Sequence, residues 1–136
     1  MHRNFISILL ADEHRLYREA LSMALSQSPS FKVIGQCGNG PEAEQAFAEL
    51  QPDILLLDIT MRTMKGFETS SHVRSKHPEA RIIWLSTFYK EGYVSRLPGS
   101  GVRGYITKSM SHLDMLQAIR KVHEGEIYIC PKPGQD

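Results

Sequence analysis

Cysteine is scarce: Cys37 and Cys130 are the only two in 136 residues, far apart and in no metal-ligand or redox spacing. They read as two free thiols in a reducing compartment, which excludes a disulfide scaffold. Long apolar runs are missing too. The first, Phe5 to Ala11, is interrupted by Ser7 and too short for a secretory core, and nothing approaches the roughly 18 apolar residues of a membrane span. A cytoplasmic location and no membrane partner are expected. Net charge is nearly absent: a formal charge of +1 leaves no electrostatic footprint for nucleic acid or an anionic membrane. The histidines (His2, His14, His72, His77, His112 and His123) show no zinc spacing and read as surface residues. What remains is ordinary globular usage, 41% hydrophobic and 23% charged. A single domain of this length needs no staples to bury a core.

Against these absences stands an alternation of short apolar runs and helical stripes. Ile6 to Ala11, Lys32 to Gln36, Asp53 to Asp58, Arg81 to Ser86 and Arg103 to Thr107 read as strands. Leu16 to Gln27 carries Leu16, Ala20, Met23, Ala24 and Leu21, Leu25 at helical spacings. Gly40-Pro41 opens a second helix, lined by Ala43, Ala46, Phe47 and Leu50 and stopped by Pro52. Gly66 to Lys76 shows a thin stripe ended by Pro78. Glu91 to Leu97 has room for about two turns before Pro98, which should end that helix early. Ser111-His112-Leu113-Asp114 has the form of a capping box for a helix with Leu113, Leu116, Ile119 and Val122 on one face, and Gly125 stops it. Residues 1–126 are read as one domain. Residues 127–136, a short extended segment (Ile127 to Cys130) and Pro131-Lys132-Pro133-Gly134, are read as the start of an interdomain linker or a C-terminal tail. Five strands alternating with five helices predict an α/β fold: a doubly wound five-stranded parallel sheet with helices on both faces.

The ends of the strands carry the chemistry. Asp12-Glu13, Asp58, Ser86 and Lys108 each close an apolar run. Singly, each has an ordinary reading as a turn residue, a strand end or a solvated charge. Jointly they fall where a doubly wound sheet binds its ligands, outside the carboxyl ends of the strands. Three crowded carboxylates raise one another's pKa unless a cation joins them, and an oxygen-only ligand set points to Mg²⁺ rather than zinc. With Lys108, such a site would meet an incoming phosphoryl group neutralised. Asp58 could then act as nucleophile and become an aspartyl phosphate, with Lys108 and Ser86 around the transferring oxygens.

From about Ile6 to Cys130 the chain resembles the receiver domain of two-component response regulators, a flavodoxin-like fold. The resemblance rests on the acid pair Asp12-Glu13, Asp58, Ser86, Lys108, and Tyr105 three residues before that lysine. The stretches Leu-Leu-Ala-Asp-Glu-His, Gly-Val-Arg-Gly-Tyr-Ile-Thr-Lys and Ala-Ile-Arg-Lys-Val-His-Glu-Gly-Glu-Ile-Tyr look most like the LuxR-type (NarL/FixJ) subfamily. The resemblance implies a phosphoacceptor domain, not an enzyme, that promotes its own aspartyl phosphorylation and dephosphorylation. Asp58 would be phosphoacceptor, with Lys108 and Ser86 assisting. Asp12, Glu13, Asp58 and the Thr60 backbone carbonyl would hold Mg²⁺, with Mn²⁺ as a substitute. Ser86 and Tyr105 would form the switch, the serine moving toward the phosphate as the aromatic turns inward. The implied partners are a sensor histidine kinase, a second copy on phosphorylation, and DNA only through a C-terminal helix-turn-helix domain absent from these 136 residues. The chain would then be the N-terminal part of a transcription regulator, or else a stand-alone receiver.

Four positions depart from the family pattern. Glu13 stands where aspartate is usual, Arg62 replaces a proline after the phosphoacceptor, Ser109 replaces the proline or aspartate after the lysine, and Pro98 breaks the fourth helix, leaving a loop at Pro98 to Gly101. Met61 and Met64 read as packing beside the site. A haloacid-dehalogenase-like phosphatase is a poorer fit because it wants a second aspartate at position 60. A flavodoxin-type nucleotide binder is poorer still, because Asp12-Glu13 would repel anions where a phosphate-cradling loop is expected.

Overall fold

The computed structural model describes residues 4–60, 62 and 65–132; Met61, Met64 and the segment from Pro133 onward lie outside them. Strands and helices alternate as β1 (Ile6–Ala11), α1 (Arg15–Leu25), β2 (Phe31–Cys37), α2 (Gly40–Leu50), β3 (Ile54–Asp58), α3 (Gly66–Lys76), β4 (Ile82–Ser86), α4 (Glu91–Val94), β5 (Gly104–Thr107), α5 (His112–His123) and β6 (Tyr128–Ile129). The sheet order is β2-β1-β3-β4-β5-β6 and every pair is parallel. The expected doubly wound parallel sheet is present, with six strands rather than five. The extra strand comes from the segment read as extended: Tyr128 and Ile129 pair with Gly104 and Tyr105. Two residues, one half-buried and one exposed, carry too little apolar pattern to announce a strand.

Alternate residues of the central strands serve two cores, as a sheet covered on both faces requires. Leu9, Leu55, Leu57, Trp84 and Tyr105 face α2, α3 and α4. Ile8, Leu10, Leu56, Ile83, Leu85 and Ile106 face α1 and α5. Ser7, the polar interruption in β1, is fully buried. Its amide and hydroxyl donate to Asp53 Oδ2 at 2.8 and 3.0 Å, while its Oγ accepts from the Asp53 amide at 2.8 Å. That reciprocal set satisfies the buried polar atoms and ties β1 to the start of β3.

The helices bury narrower faces than their sequence stripes suggest. α1 packs through Leu21 and Leu25, leaving Leu16 and Met23 exposed. α5 packs through Met115, Ala118, Ile119 and Val122, leaving Leu113 exposed. The expected cap of α5 is present, Ser111 Oγ accepting from the Asp114 amide at 3.1 Å, and α2 has one not anticipated from the sequence, Asn39 Oδ1 accepting from the Glu42 amide at 2.9 Å. α4 stops after one turn at Val94, shorter than expected. The chain then tightens into three-residue bonds, Leu97 N to Val94 O at 3.1 Å and Ser100 N to Leu97 O at 3.0 Å, because Pro98 has no amide to continue the ladder. Gly66 opens α3 hard against β3: a Cβ there would lie 2.4 Å from Ile59 Cα. This close approach sets α3 against the end of the strand that carries Asp58.

Candidate functional site

The strand order reverses between β1 and its neighbours β2 and β3, and in open α/β sheets a crevice opens at such a switch point, outside the carboxyl ends of the strands. Asp12 follows β1 there and Asp58 closes β3, and both are fully buried. Lys108, just past β5, reaches between them: its Nζ is 2.8 Å from Asp12 Oδ2 and 2.6 Å from Asp58 Oδ2. Its amide donates to the Ser86 carbonyl at 2.8 Å, so the β4 and β5 ends are fixed relative to each other. The ammonium also lies 4.4 Å from the centre of the Tyr17 ring, a cation-π contact.

Each carboxylate has a second anchor. Asp12 Oδ1 accepts from the His14 amide at 2.8 Å, and its backbone carbonyl accepts from Arg18 Nη1 at 2.7 Å. Asp58 Oδ1 accepts from both the amide and the hydroxyl of Thr60, at 2.7 and 2.6 Å. Thr60 Oγ1 also lies 3.4 Å from Thr87 Oγ1. Burial lifts the Asp12 carboxyl above its ordinary value and the Asp58 charge adds to this, while Lys108 and the His14 amide oppose it. Burial, then the Asp12 and Asp58 charges, also raise the Tyr17 phenol. Cys37, whose carbonyl accepts from the Asp12 amide at 2.9 Å, has its thiol pushed up to about 11 by burial. Both cysteines are free and buried, and a protonated buried thiol is inert.

Ser86 and Tyr105 form a second cluster beside the first. Tyr105 is fully buried with its ring already inside. Its hydroxyl is 2.7 Å from Ser86 Oγ, accepts from the Lys90 amide at 3.1 Å and donates to the Phe88 carbonyl at 3.1 Å. Ser86 Oγ donates to the same carbonyl at 2.7 Å. The serine hydroxyl is thus engaged with Tyr105 and the β4–α4 loop.

Of the residues singled out from sequence, Asp12, Asp58 and Lys108 converge in one cluster, and Ser86 and Tyr105 in an adjoining one. Glu13 is half-buried, and among the described residues no group of three acids converges closely enough to hold a metal. The donor set still suits a hard divalent cation. Asp12 and Asp58 offer buried oxygens only, and Lys108 is a single positive charge against two negative ones. Arg62 and Ser109 are exposed at the periphery. Three contributors carry no spacing signal in the sequence: the Thr60 hydroxyl, Thr87 and Tyr17. Each is placed by a chain distant in sequence from its partner or by a loop conformation.

The family model for the response regulator receiver domain matches residues 8–120. The chain belongs to that family. Among curated relatives, the receiver is 33% identical over 127 residues to response regulator protein VraR of Staphylococcus epidermidis, covering 93% of this chain and 61% of that protein. The first relatives it matches are longer, and it spans 56–61% of their length. Among solved structures, a LuxR-family two-component response regulator from Aurantimonas superposes with a TM-score of 0.88 at 27% identity, over 93% of the receiver and 91% of that chain. A CheX-CheY-BeF3-Mg complex from Borrelia burgdorferi gives a TM-score of 0.79 at 26% identity, over 86% and 88%. The receiver is thus of the LuxR type, in a family of signalling domains. No helix among its described residues is long and apolar enough to cross a membrane.

Proposed function

We propose that the receiver accepts a phosphoryl group from a sensor histidine kinase onto Asp58 and changes its output face in response. The observation that carries this reading is the meeting of two fully buried carboxylates, Asp12 and Asp58, on the one ammonium of Lys108 at the reversal of strand order. Asp58 Oδ2 attacks phosphorus, the bond from phosphorus to the donor nitrogen breaks, and the electron pair leaves with the imidazole, giving an acyl phosphate. Lys108 stays beside the new phosphoryl oxygens. The paired Thr60 bonds engage Oδ1 and leave Oδ2, beside Lys108, to receive the phosphoryl group, which lowers the orientational cost of the transfer.

Asp12, Asp58, the Thr60 carbonyl and Glu13 are the residues that would hold Mg²⁺, or Mn²⁺ in its place. The ion supplies positive charge that offsets the carboxylates and the entering phosphoryl oxygens. Glu13, longer by one methylene than the usual aspartate, would take part through a different rotamer or a shifted ion. Ser86 and Tyr105 relay the event by exchanging the bonds they share in the β4–α4 loop. The protein is a cytoplasmic signalling domain, not a turnover enzyme. It acts as the N-terminal part of a transcription regulator whose DNA contacts come from a helix-turn-helix domain, with pairing to a second copy on phosphorylation.

The test is incubation with acetyl phosphate and Mg²⁺. One acid-stable, base-labile phosphoryl group is expected, lost in Asp58→Asn. Label retained in that variant, or steady release of phosphate without a labelled protein, overturns the reading.

A further inference from the structure

Where α4 stops, one flank of α3 is left uncovered, and the chain from Leu97 to Gly101 walls a two-part groove there. The inner part holds about 230 Å³ and the outer about 800 Å³, and they share Ser71, Arg74, Gly99 and Ser100. Arg96 lines the inner part and Arg103 the outer. Among the described residues no aspartate or glutamate lines either. Three arginines lining a concavity free of carboxylates, Arg103 with its Nη1 on the Gly125 carbonyl at 3.1 Å, give an anion-attracting field.

Arg74 is built into this place. Its Nη1 donates to the Pro78 carbonyl and, at 3.2 Å, to the Ala80 carbonyl, which fixes the plane of the guanidinium. Its Nε is buried and has no hydrogen-bond partner, an unmet donor of the kind that calls for an explanation. Gly101, at φ +79°, lies against it: a Cβ there would sit 2.4 Å from that Nε. Only glycine both adopts this backbone and leaves the guanidinium room. Arg96 is oriented differently, with its guanidinium carbon 3.6 Å above the Phe67 ring. That stacking leaves its N–H edges unengaged: the side chain has no hydrogen-bond or ion-pair partner among the described residues. Phe67 in turn meets Trp84 edge-on, with centroids 5.0 Å apart.

We propose that this groove is a binding site for a phosphate dianion, free or as a small monoester, held by Arg74 and Arg96 with Arg103 at its mouth. Planar guanidinium forks match the oxygens of a phosphate, and such charge-assisted bonds are the strong ones. The site lies beside α3 and the broken α4, none of Asp12, Asp58 and Lys108 lines it, and it does not depend on phosphorylation at Asp58.

Trp84 is the sole tryptophan and lines the inner part, so its fluorescence reports on the groove. The full chain is titrated with inorganic phosphate, and separately with glycerol phosphate, in chelator at constant ionic strength with chloride as the balancing salt. A saturable change is expected with at least one of them, and the better ligand tells free phosphate from ester. Arg96→Gln, exposed and tied to the fold in its side chain only by the Phe67 stacking, should weaken it about tenfold. Gly101→Ala, which displaces Arg74, should do the same, and Arg15→Gln on α1 should leave it unchanged. No saturable response, an equal response to chloride, or undiminished affinity in Arg96→Gln overturns the site.

Discussion

Replacing Lys108 by methionine tests the electrostatics of the acid pair directly. The ammonium sits 2.8 and 2.6 Å from two carboxylate oxygens, and its own side chain is only 11% exposed. At an effective dielectric constant of about 20, opposite charges at such separations attract by roughly 6 kcal/mol. Mutual repulsion of the carboxylates and desolvation of all three groups offset most of the two attractions. Removing one partner of a buried ion pair nonetheless costs about 3–5 kcal/mol, because a charge is left uncompensated. Lys108→Met should therefore lose about 3–5 kcal/mol in urea unfolding at pH 7 in chelator.

The pH dependence has a definite sign. Asp12 has its folded-state pKa raised, chiefly by burial, so the native state binds this proton more readily than the unfolded chain. Stability contributed by this group therefore rises as pH falls from the raised value toward the ordinary aspartate value, and is lost on the way up. Lys108 is one of the groups that oppose the rise, so the variant's window extends to higher pH. Its deficit relative to the parent should shrink steadily as pH is lowered from 8. A deficit below about 1 kcal/mol at pH 7, the range of an exposed pair, refutes the reasoning, as does a deficit that does not change with pH.

Other outcomes follow from the same contacts. Tyr105→Phe keeps the buried ring but strips its hydroxyl from Ser86, Lys90 and Phe88. It should cost about 1–3 kcal/mol and speed amide exchange at Lys90, while unchanged exchange there would count against the bond. Gly66→Ala drives a Cβ into the Ile59 backbone and should cost about 1–3 kcal/mol by overpacking, read as a lowered urea midpoint. Amide exchange across residues 95–101 should be fast compared with α5, since from Arg96 onward the chain holds three-residue bonds in place of a helical ladder. Slow, helix-like protection would contradict that.

The strand ends were legible in the sequence because strands buried on both faces leave continuous apolar runs, and whatever polar residue closes a run stands at the sheet's carboxyl edge. Asp12, Asp58, Ser86 and Lys108 are readable for that reason. Helix faces were less so: α1 carries two apolar stripes, and only packing against the sheet decides that Leu21 and Leu25 go in while Leu16 and Met23 stay out. The broken α4 was foreseeable from Pro98, since one missing amide has a local consequence. The pairing of β6 was not, because an edge strand of two residues draws its stability from β5 and little from its own pattern. Nor could spacing reveal that Thr60 grips Asp58 with its hydroxyl, that Tyr17 covers Lys108, or that the Tyr105 ring already lies inside. Those depend on the loop conformation after β3 and on packing between segments distant in the chain.

The inward ring has a consequence for populations. Turning Tyr105 outward would forfeit the bonds of its hydroxyl to the Lys90 amide and the Phe88 carbonyl, at about 1 kcal/mol net apiece, besides exposing a ring that is now fully buried, at about 1.5 kcal/mol. A gap of about 3 kcal/mol leaves the outward form below about 1% at equilibrium. A partner that recognises the inward ring therefore finds nearly every molecule ready, with no selection penalty on its affinity. One that requires the outward ring would bind roughly a hundredfold more weakly than its contacts alone imply.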